Sequence, residues 1–157
     1  MNREMQEFFE WRAGQLAIVH LTRRDDVVVK RVVTPSGAAD FLVEAVHDGA
    51  STGRVFGVRV RGLEHAVQAP DEVSGRVGEL PLGELSDAPM PYCVFVFTND
   101  DERGYFRWVR EPAAVLGSPR LKTVRHPRWR ALDENGMAEI VAAVNAWYDA
   151  QRQAQAA

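Results

Sequence analysis

The chain has 157 residues, of which 46% are hydrophobic and 26% are charged, a balance that is typical of a soluble globular protein and excludes low-complexity or fibrous sequence. Its net charge of -3 and pI near 5.8 exclude a strong overall attraction to nucleic acid or acidic lipid, so any such binding needs a local basic patch. We expect a single domain over residues 1–157 with a real hydrophobic core.

Two features of the sequence predict a cytoplasmic location. Cys93 is the only cysteine and lies in an apolar run, which excludes an internal disulfide and predicts a buried, unreactive thiol. The first twelve residues carry too many charges for a signal peptide, and no stretch reaches the roughly 18 uninterrupted apolar residues of a membrane span. We therefore expect no contact with a membrane.

The chain begins with a predicted amphipathic helix and a predicted strand. Over residues 3–23 the apolar side chains recur at intervals that approximate one helical stripe. The expected stripe consists of Met5, Phe8, Phe9, Leu16, Val19 and His20, widened by Trp11, Ala13 and Ala17. The β-branched run at 27–34 then predicts a strand, which ends at the turn-forming residues 35–37.

Residues 38–63 predict a β-hairpin. Its two strands, 39–46 and 54–63, are rich in β-branched and aromatic side chains, and a cluster of Gly, Asp and Ser separates them. That cluster is Asp48, Gly49, Ser51 and Gly53. If the hairpin folds about residue 50, paired residues have numbers that sum to about 100, which places Asp40 beside the segment that holds Arg59 and Arg61. The expected core-facing positions are Phe41, Val43, Val55 and Gly57.

The middle of the chain predicts a long irregular connection and a second hairpin. Seven Pro or Gly residues interrupt every periodic pattern in 64–91, although 80–85 has the length of one helical turn. Residues 92–98 and 105–110 then predict two strands joined by an acidic turn, with Phe106 and Trp108 on one face.

The last part of the chain predicts a basic segment and a helix. Residues 119–130 contain five Arg or Lys residues and no acid, and Asp133 is a suitable N-cap for the helix that follows. The apolar stripe of this helix is Met137, Ile140, Val141, Val144 and Tyr148, with Trp147 beside it. We expect residues 151–157 to fray. The order of elements predicts an α+β (mixed α/β) fold, with a central mixed sheet flanked by N-terminal and C-terminal helices.

Charged side chains converge on one side of the first hairpin. Because side chains alternate between the faces of a strand, Asp40 and Glu44 share a face of the first strand, and Arg59 and Arg61 share a face of the second. Two carboxylates beside two guanidiniums are compatible with an active site or with a set of ion pairs.

The motifs around these charges resemble the core of the PD-(D/E)XK superfamily, which includes many restriction endonucleases. More narrowly, they are similar to a branch of that superfamily of unknown function. The resemblance covers approximately residues 8–148, in short motifs. These motifs are G-A-A-D-F-L-V-E, R-V-F-G-V-R-V-R-G, P-Y-C-V-F-V-F, N-D-D-E-R-G and Y-F-R-W-V.

The resemblance implies a restriction-endonuclease-like sheet and cleavage of DNA or RNA with Mg²⁺ or Mn²⁺. Asp40 matches the metal-binding aspartate of the family, and Glu10 matches an acidic residue often found near the metal. Arg59 stands where the family has a Glu or Gln on the metal side, and Arg61 stands where it has the Lys that positions the attacking water. Both arginines depart from the pattern: Arg59 cannot ligate a cation, and Arg61 keeps a positive charge but cannot lose a proton as Lys can.

Three interpretations of the charged residues follow. In the first, the protein is a Mg²⁺-dependent nuclease with a rearranged site, in which Asp40 with Glu44 or Glu10 holds the metal and Arg61 stabilises the phosphate. In the second, the carboxylates and arginines neutralise each other and catalysis is lost. The domain then binds nucleic acid or a protein partner, in the superfamily's setting of a defence or mobile-element system. In the third, Arg59 and Arg61 face solvent and bind phosphate without chemistry.

The basic segment is the candidate contact for a nucleic-acid backbone, with Trp129 available to stack on a base. The residues concerned are Arg120, Lys122, Arg125, Arg128, Trp129 and Arg130. The alternative is a solvated edge whose charges balance acids elsewhere. We expect Trp108 and Trp147 in the core, and the four histidines lack the spacing of a zinc site. No sequence pattern predicts an oligomeric state.

Overall fold

The computed structural model describes residues 2–33, 39–78, 80–115 and 118–156. The helices within these ranges are α1 (Arg3–Thr22), α2 (Val73–Val77) and α3 (Glu134–Ala156), with 3₁₀ turns at Pro70–Glu72 and Gly83–Leu85. The strands are β1 (Val27–Val33), β2 (Ala39–His47), β3 (Ala50–Leu63), β4 (Tyr92–Thr98), β5 (Gly104–Val115), β6 (Ser118–Thr123) and β7 (Arg130–Ala131). None of the described helices is long and apolar enough to cross a membrane.

The strands form one mixed sheet. β1 to β6 lie side by side in chain order, and β7 pairs with β5. Every pairing is antiparallel except that of β3 with β4, which is parallel. A parallel pair needs a long crossover, and the connection at 64–91 supplies it. The predicted α+β fold, with a central mixed sheet and helices at both ends of the chain, is confirmed.

Each face of the sheet carries its own apolar cluster. On the first face, α1 and α3 pack against side chains of β2 to β5, including Phe41, Val58, Phe95 and Phe106. On the second face, the crossover at 64–91 packs against β4 and β5. The second cluster consists of Val67, Val73, Leu85, Ala88, Tyr92, Val94, Val96, Tyr105, Val109 and Trp129. Asp40 and Arg59 of the first hairpin lie on this second face, where Arg59 contacts the crossover.

The buried side of α1 differs from the predicted stripe. The residues that contact the sheet are Phe9, Ala13, Ala17 and Leu21, spaced four apart, whereas Met5, Phe8, Trp11 and Val19 are exposed. The small alanines let the helix approach closely: a Cβ on Gly62 of β3 would lie 2.3 Å from the Phe9 carbonyl oxygen. The prediction was correct for Phe9, Ala13 and Ala17 and wrong for the exposed residues, because α1 has apolar residues on two opposite sides and periodicity alone does not say which side is buried.

The register of the first hairpin is as predicted. Asp40 pairs with Arg59, and their numbers sum to 99. The strands are longer than expected and meet at a two-residue turn, where Asp48 and Gly49 have φ of 50° and 76°. Positive φ at both positions is the geometry of a tight hairpin turn.

Two of the four predicted core-facing positions in this hairpin were wrong. Phe41 and Val43 face α1 as expected, but the side chains of β3 in that core are Phe56, Val58 and Val60. Val55 and Gly57 lie on the other face, because alternate residues of a strand point the same way and Arg59 is on that face.

Most of the remaining elements follow the predictions. The second hairpin is formed by β4 and β5, Cys93, Trp108 and Trp147 are buried, and the predicted turn in 80–85 is the 3₁₀ turn Gly83–Leu85. Asp133 caps α3 by accepting a hydrogen bond from the Gly136 N–H at 2.7 Å.

Some predictions about the chain's organisation need correction or fall outside the described residues. α3 continues to Ala156, so the expected fraying from 151 was wrong. The basic segment contains β6 and β7, and the connection contains α2, none of which the sequence predicted. The end of the first predicted strand at residue 34 and the turn at 35–37 lie outside the described residues.

Candidate functional site

The centre of the first hairpin holds a buried ion pair. Its register places Asp40 of β2 directly opposite Arg59 of β3. The Nε and Nη2 atoms of Arg59 donate to the Oδ1 and Oδ2 atoms of Asp40, each at 2.9 Å, and both side chains are 4% exposed. This paired donation is the strongest geometry for a guanidinium and a carboxylate. The bonds to Asp40 raise the pKa of Arg59, which outweighs the opposing effect of its burial.

The crossover supplies further partners for this pair. Arg59 donates from Nη2 to Glu84 Oε1 at 2.8 Å and from Nη1 to the Pro81 carbonyl oxygen at 3.2 Å. Both acceptors belong to the segment that runs across the second face. All three nitrogen atoms of the guanidinium therefore donate hydrogen bonds within the protein, and these bonds link the crossover to the sheet.

A glycine makes room for the last member of this network. Gly57 pairs with Tyr92 across β3 and β4, and a Cβ on Gly57 would lie 2.0 Å from the Tyr92 ring. In the absence of that Cβ the ring crosses over β3, and the Tyr92 hydroxyl donates to Asp40 Oδ2 at 3.3 Å. Burial is the main cause that raises the pKa of Tyr92, with the Asp40 charge second, so this hydroxyl acts as a donor.

Glu10 and Arg61 form a second, separate pair. Glu10 on α1 lies 3.4 Å from Arg61 Nη1 and accepts hydrogen bonds from the Gly62 N–H at 3.1 Å and from Gln6 Nε2 at 2.5 Å. Within the described ranges β2 begins at Ala39, opposite Val60, and the Gly62 N–H two residues further along β3 donates to Glu10. Burial raises the pKa of Glu10 despite the opposing effect of Arg61.

The third carboxylate lies away from both pairs. Glu44 accepts hydrogen bonds from Ser51 Oγ at 2.8 Å and from the Gly53 N–H at 3.2 Å. It is four residues from Asp40 along a strand, which corresponds to about 13 Å at about 3.3 Å per residue. The charged residues that the sequence predicted to converge are therefore distributed over three places, and Asp40 meets neither Glu44 nor Glu10.

These residues do not fit the Mg²⁺ or Mn²⁺ that the superfamily resemblance implies. A hard cation needs several oxygen ligands around one point, whereas both Asp40 oxygens accept from Arg59, and Glu84, the other described carboxylate at this point, is bonded to the same guanidinium. Across the described ranges, no group of three or more His, Cys, Asp or Glu side chains is arranged to hold a metal. The buried guanidinium also repels a cation at this point.

The basic segment divides into exposed and buried members. Arg120, Lys122, Arg125 and Arg128 are exposed, and within the described part of the chain none of them lies within 4 Å of a carboxylate. Lys122 does face Glu111 across the β5–β6 ladder. The expectation that Trp129 stacks on a base was wrong, since it is 4% exposed and belongs to the second core.

Arg130 is also occupied within the protein. Its guanidinium lies over the Phe106 ring, 4.9 Å from the centroid, and it forms an ion pair with Glu139 of α3. The free cationic surface of this segment is therefore formed by the four exposed side chains, which we call the basic patch: Arg120, Lys122, Arg125 and Arg128.

One charged residue near this patch was missed by the sequence reasoning. Arg107 of β5 lies on the second face, in the same cross-strand row as Asp40, Arg59 and Val94. Its partners are the carbonyl oxygens of Trp108 and Val124, and burial lowers the pKa of Arg107. In the sequence, Arg107 has the position of an ordinary polar residue in an alternating strand. The sequence signal that could have identified it is its spacing of two residues from Tyr105 and from Val109, which lie on the second face.

Comparisons with protein-family models, with curated proteins and with solved structures return no match. The assignment to the PD-(D/E)XK superfamily therefore stays a prediction that rests on the short motifs and the order of elements.

Proposed function

We propose that the protein is a non-catalytic, nuclease-like domain that binds DNA or RNA through the basic patch. The observation that carries this proposal is the exposure of four cationic side chains within nine residues, without ion-pair partners in the described structure. The proposed setting is the cytoplasm, as the single cysteine predicts.

A patch of this kind binds the sugar–phosphate backbone because its cationic side chains neutralise phosphates and release the counterions condensed on the nucleic acid. Each phosphate that is neutralised on a duplex contributes about -0.9 to the slope of log K against log salt. Four contacts correspond to a slope of about -3.6. With Trp129 buried, the patch offers charge without a stacking platform, which favours binding with little sequence preference.

The absence of catalysis in this proposal is supported by the Asp40–Arg59 pair. Cleavage of a phosphodiester by this class of site needs a metal to lower the pKa of a water molecule and to neutralise charge on the phosphate. The guanidinium occupies both oxygens of the carboxylate that would hold the metal. The ion pair keeps the sheet and the crossover together, and the domain then acts through its surface.

The test measures binding and cleavage in the same preparations. Fluorescence anisotropy with single-stranded and double-stranded DNA and RNA is recorded at several salt concentrations, for the wild type and for a patch variant. The patch variant is Arg120→Gln, Lys122→Gln, Arg125→Gln and Arg128→Gln combined. A control variant removes the same charge at four exposed sites elsewhere: Arg3→Gln, Arg23→Gln, Lys30→Gln and Arg152→Gln.

We expect the patch variant to lose most of its affinity and its salt dependence, and the control variant to retain both. Equal losses in the two variants would mean that only net charge matters and would reject the patch. The same samples with Mg²⁺ or Mn²⁺ should leave the nucleic acids intact. Cleavage that disappears in Asp40→Ala would instead support the alternative, a Mg²⁺-dependent nuclease that uses Asp40 with Glu44 or Glu10 and Arg61.

A second candidate function, binding of a protein partner, is favoured by a different observation. Phe8 and Trp11 of α1 are 50% and 60% exposed, and their rings lie 6.3 Å apart. Exposed aromatic residues next to each other are common at protein interfaces. Self-association is the form of this function that the chain alone can test. Sedimentation equilibrium of the wild type and of a Trp11→Asp variant should show dimers only in the wild type, and a monomeric wild type would remove self-association.

A further inference from the structure

Arg107 is a partly buried cation without a described counter-charge. Its Nε donates to the Trp108 carbonyl oxygen at 3.1 Å and its Nη2 to the Val124 carbonyl oxygen at 3.3 Å, and no described residue accepts a bond from Nη1. Removing a cation from water without a carboxylate partner is unfavourable. Elsewhere on the same face, Arg59 avoids this cost through Asp40 and Glu84.

The guanidinium borders a small cavity that the crossover closes. The cavity has a volume of about 160 Å³. Its walls are contributed by Ser74, Val77, Gly78, Leu80, Leu82, Arg107, Pro127 and Trp129. They come from α2 and the residues after it on one side, and from the basic segment on the other. Arg107 is the only charged side chain among these described lining residues.

The cavity adjoins the basic patch through the chain itself. Pro127 and Trp129, which line it, are the sequence neighbours of Arg128. A strand of nucleic acid bound to Arg128 would therefore come close to this cavity and to Arg107. Because Arg107 is half-buried beside this cavity, water screens its charge less than it screens the exposed charges of the basic patch.

We propose that this cavity binds a terminal phosphate of the nucleic-acid strand held by the basic patch, with Arg107 as the residue that contacts the phosphate oxygens. This inference rests on the proposed function. A cavity of about 160 Å³ is large enough to accommodate a phosphate group.

The chemistry favours the end of a strand over its interior. A terminal phosphate monoester carries between about -1.5 and -2 charges at pH 7, whereas each internal phosphate carries one and is held between two sugars. A monoester can also project into a narrow pocket, while an internal phosphate cannot leave the backbone. The expected ligand is therefore a 5′- or 3′-phosphorylated strand.

The test compares short oligonucleotides of one sequence that carry a 5′-phosphate, a 3′-phosphate or hydroxyl groups at both ends. Their affinities for the wild type are measured at one salt concentration. In a separate experiment, the change in melting temperature on addition of inorganic phosphate probes the cavity directly. We expect one phosphorylated form to bind about tenfold more tightly than the hydroxyl form, the size of a charged hydrogen bond. Equal affinities for all three forms would overturn the proposal.

Two substitutions in one strand assign the effect to a residue. Arg107→Gln should remove the preference for the phosphorylated end and the response to inorganic phosphate. Arg110→Gln serves as the matched control, since Arg110 donates to Ala88, Leu121 and Thr123 and does not line the cavity. If Arg107→Gln fails to fold, Arg107→Lys tests the same point. Lysine keeps the positive charge without the planar guanidinium, so we expect this variant to keep only part of the preference for the phosphorylated end. A preference that survives Arg107→Gln would overturn the proposal.

A third variant covers Glu79, which lies between Gly78 and Leu80 in sequence and is outside the described residues. If inorganic phosphate shifts the melting temperature of Glu79→Gln but not of the wild type, the partner of Arg107 in the wild type is the Glu79 carboxylate and not a phosphate. This result would overturn the proposal. The two proposals fail separately. Loss of oligonucleotide binding in the patch variant with no end preference in the wild type rejects only the phosphate cavity. An Arg107-dependent response to inorganic phosphate, with no oligonucleotide binding, rejects nucleic acid as its source.

Discussion

Arg59 holds both carboxylate oxygens of Asp40 at 2.9 Å in a place that solvent does not reach. In the family that the sequence resembles, this aspartate would hold a metal. Here it neutralises a neighbouring cation and anchors the crossover through Glu84 and Pro81. A pair of this kind makes the fold depend on both partners.

The first prediction concerns the removal of one partner. Asp40→Ala leaves the buried guanidinium with only Glu84 as a carboxylate partner, and we expect the free energy of unfolding to fall by about 3 kcal/mol or more. A combined Asp40→Leu and Arg59→Met variant should lose much less, because no unpaired charge remains. Urea denaturation followed by circular dichroism measures both. A double variant as unstable as Asp40→Ala would contradict this account of the pair.

The second prediction concerns the replacement of the ion pair by a group of carboxylates. Arg59→Glu places a third acid beside Asp40 and Glu84, so the variant should be destabilised in EDTA and stabilised by Mn²⁺. At a free ion concentration about ten times Kd, binding adds about 1.4 kcal/mol to the free energy of unfolding. The melting temperature of the wild type should not respond, nor should that of Lys30→Glu, an exposed charge reversal. An equal response of all three proteins would contradict the prediction.

The third prediction is a pH dependence that comes from Glu10. Burial raises the pKa of Glu10 above its ordinary value of 4.5. The folded state therefore binds a proton more readily than the unfolded state, and the stability from this group is present below pH 4.5 and is lost as the pH rises through the folded pKa. Glu10→Gln removes this titration, so its stability relative to the wild type should increase between pH 4.5 and neutral pH. Urea denaturation at four pH values measures this difference, and a constant difference would contradict it.

The fourth prediction concerns the glycine beneath Tyr92. Gly57→Ala would bring a Cβ to 2.0 Å from the Tyr92 ring and push the hydroxyl away from Asp40. We expect a loss of about 1–3 kcal/mol, as for overpacking of a core. Gly75→Ala is the matched control, because nothing lies within 4 Å of its added Cβ and it is in α2, where alanine is the better helix former. Thermal denaturation of both variants checks this, and equal losses would rule out the contact with Tyr92 as the cause.

The sequence by itself determined the order of α1, β1 to β5 and α3, and the pairing of the first hairpin. β-branched runs separated by turn residues have few ways to fold locally, so the opposition of Asp40 and Arg59 followed from their positions relative to the turn. The stripe of α3 was also correct, since its apolar residues lie on one side. These are short-range properties, and alternation or helical spacing expresses them directly.

The tertiary structure alone decided which further partners the Asp40–Arg59 pair has. Asp40 and Glu44 share a strand face, but the rise of the strand separates them. Glu84 and Pro81 come from a crossover whose sequence has no periodic pattern, and Tyr92 comes from β4. It also decided which side of α1 is buried and that Trp129 belongs to the core. Such outcomes depend on packing between distant segments. The sequence shows which residues carry charge, and the fold determines that one of these charges, on Arg59, fills the place that the resemblance assigned to a metal.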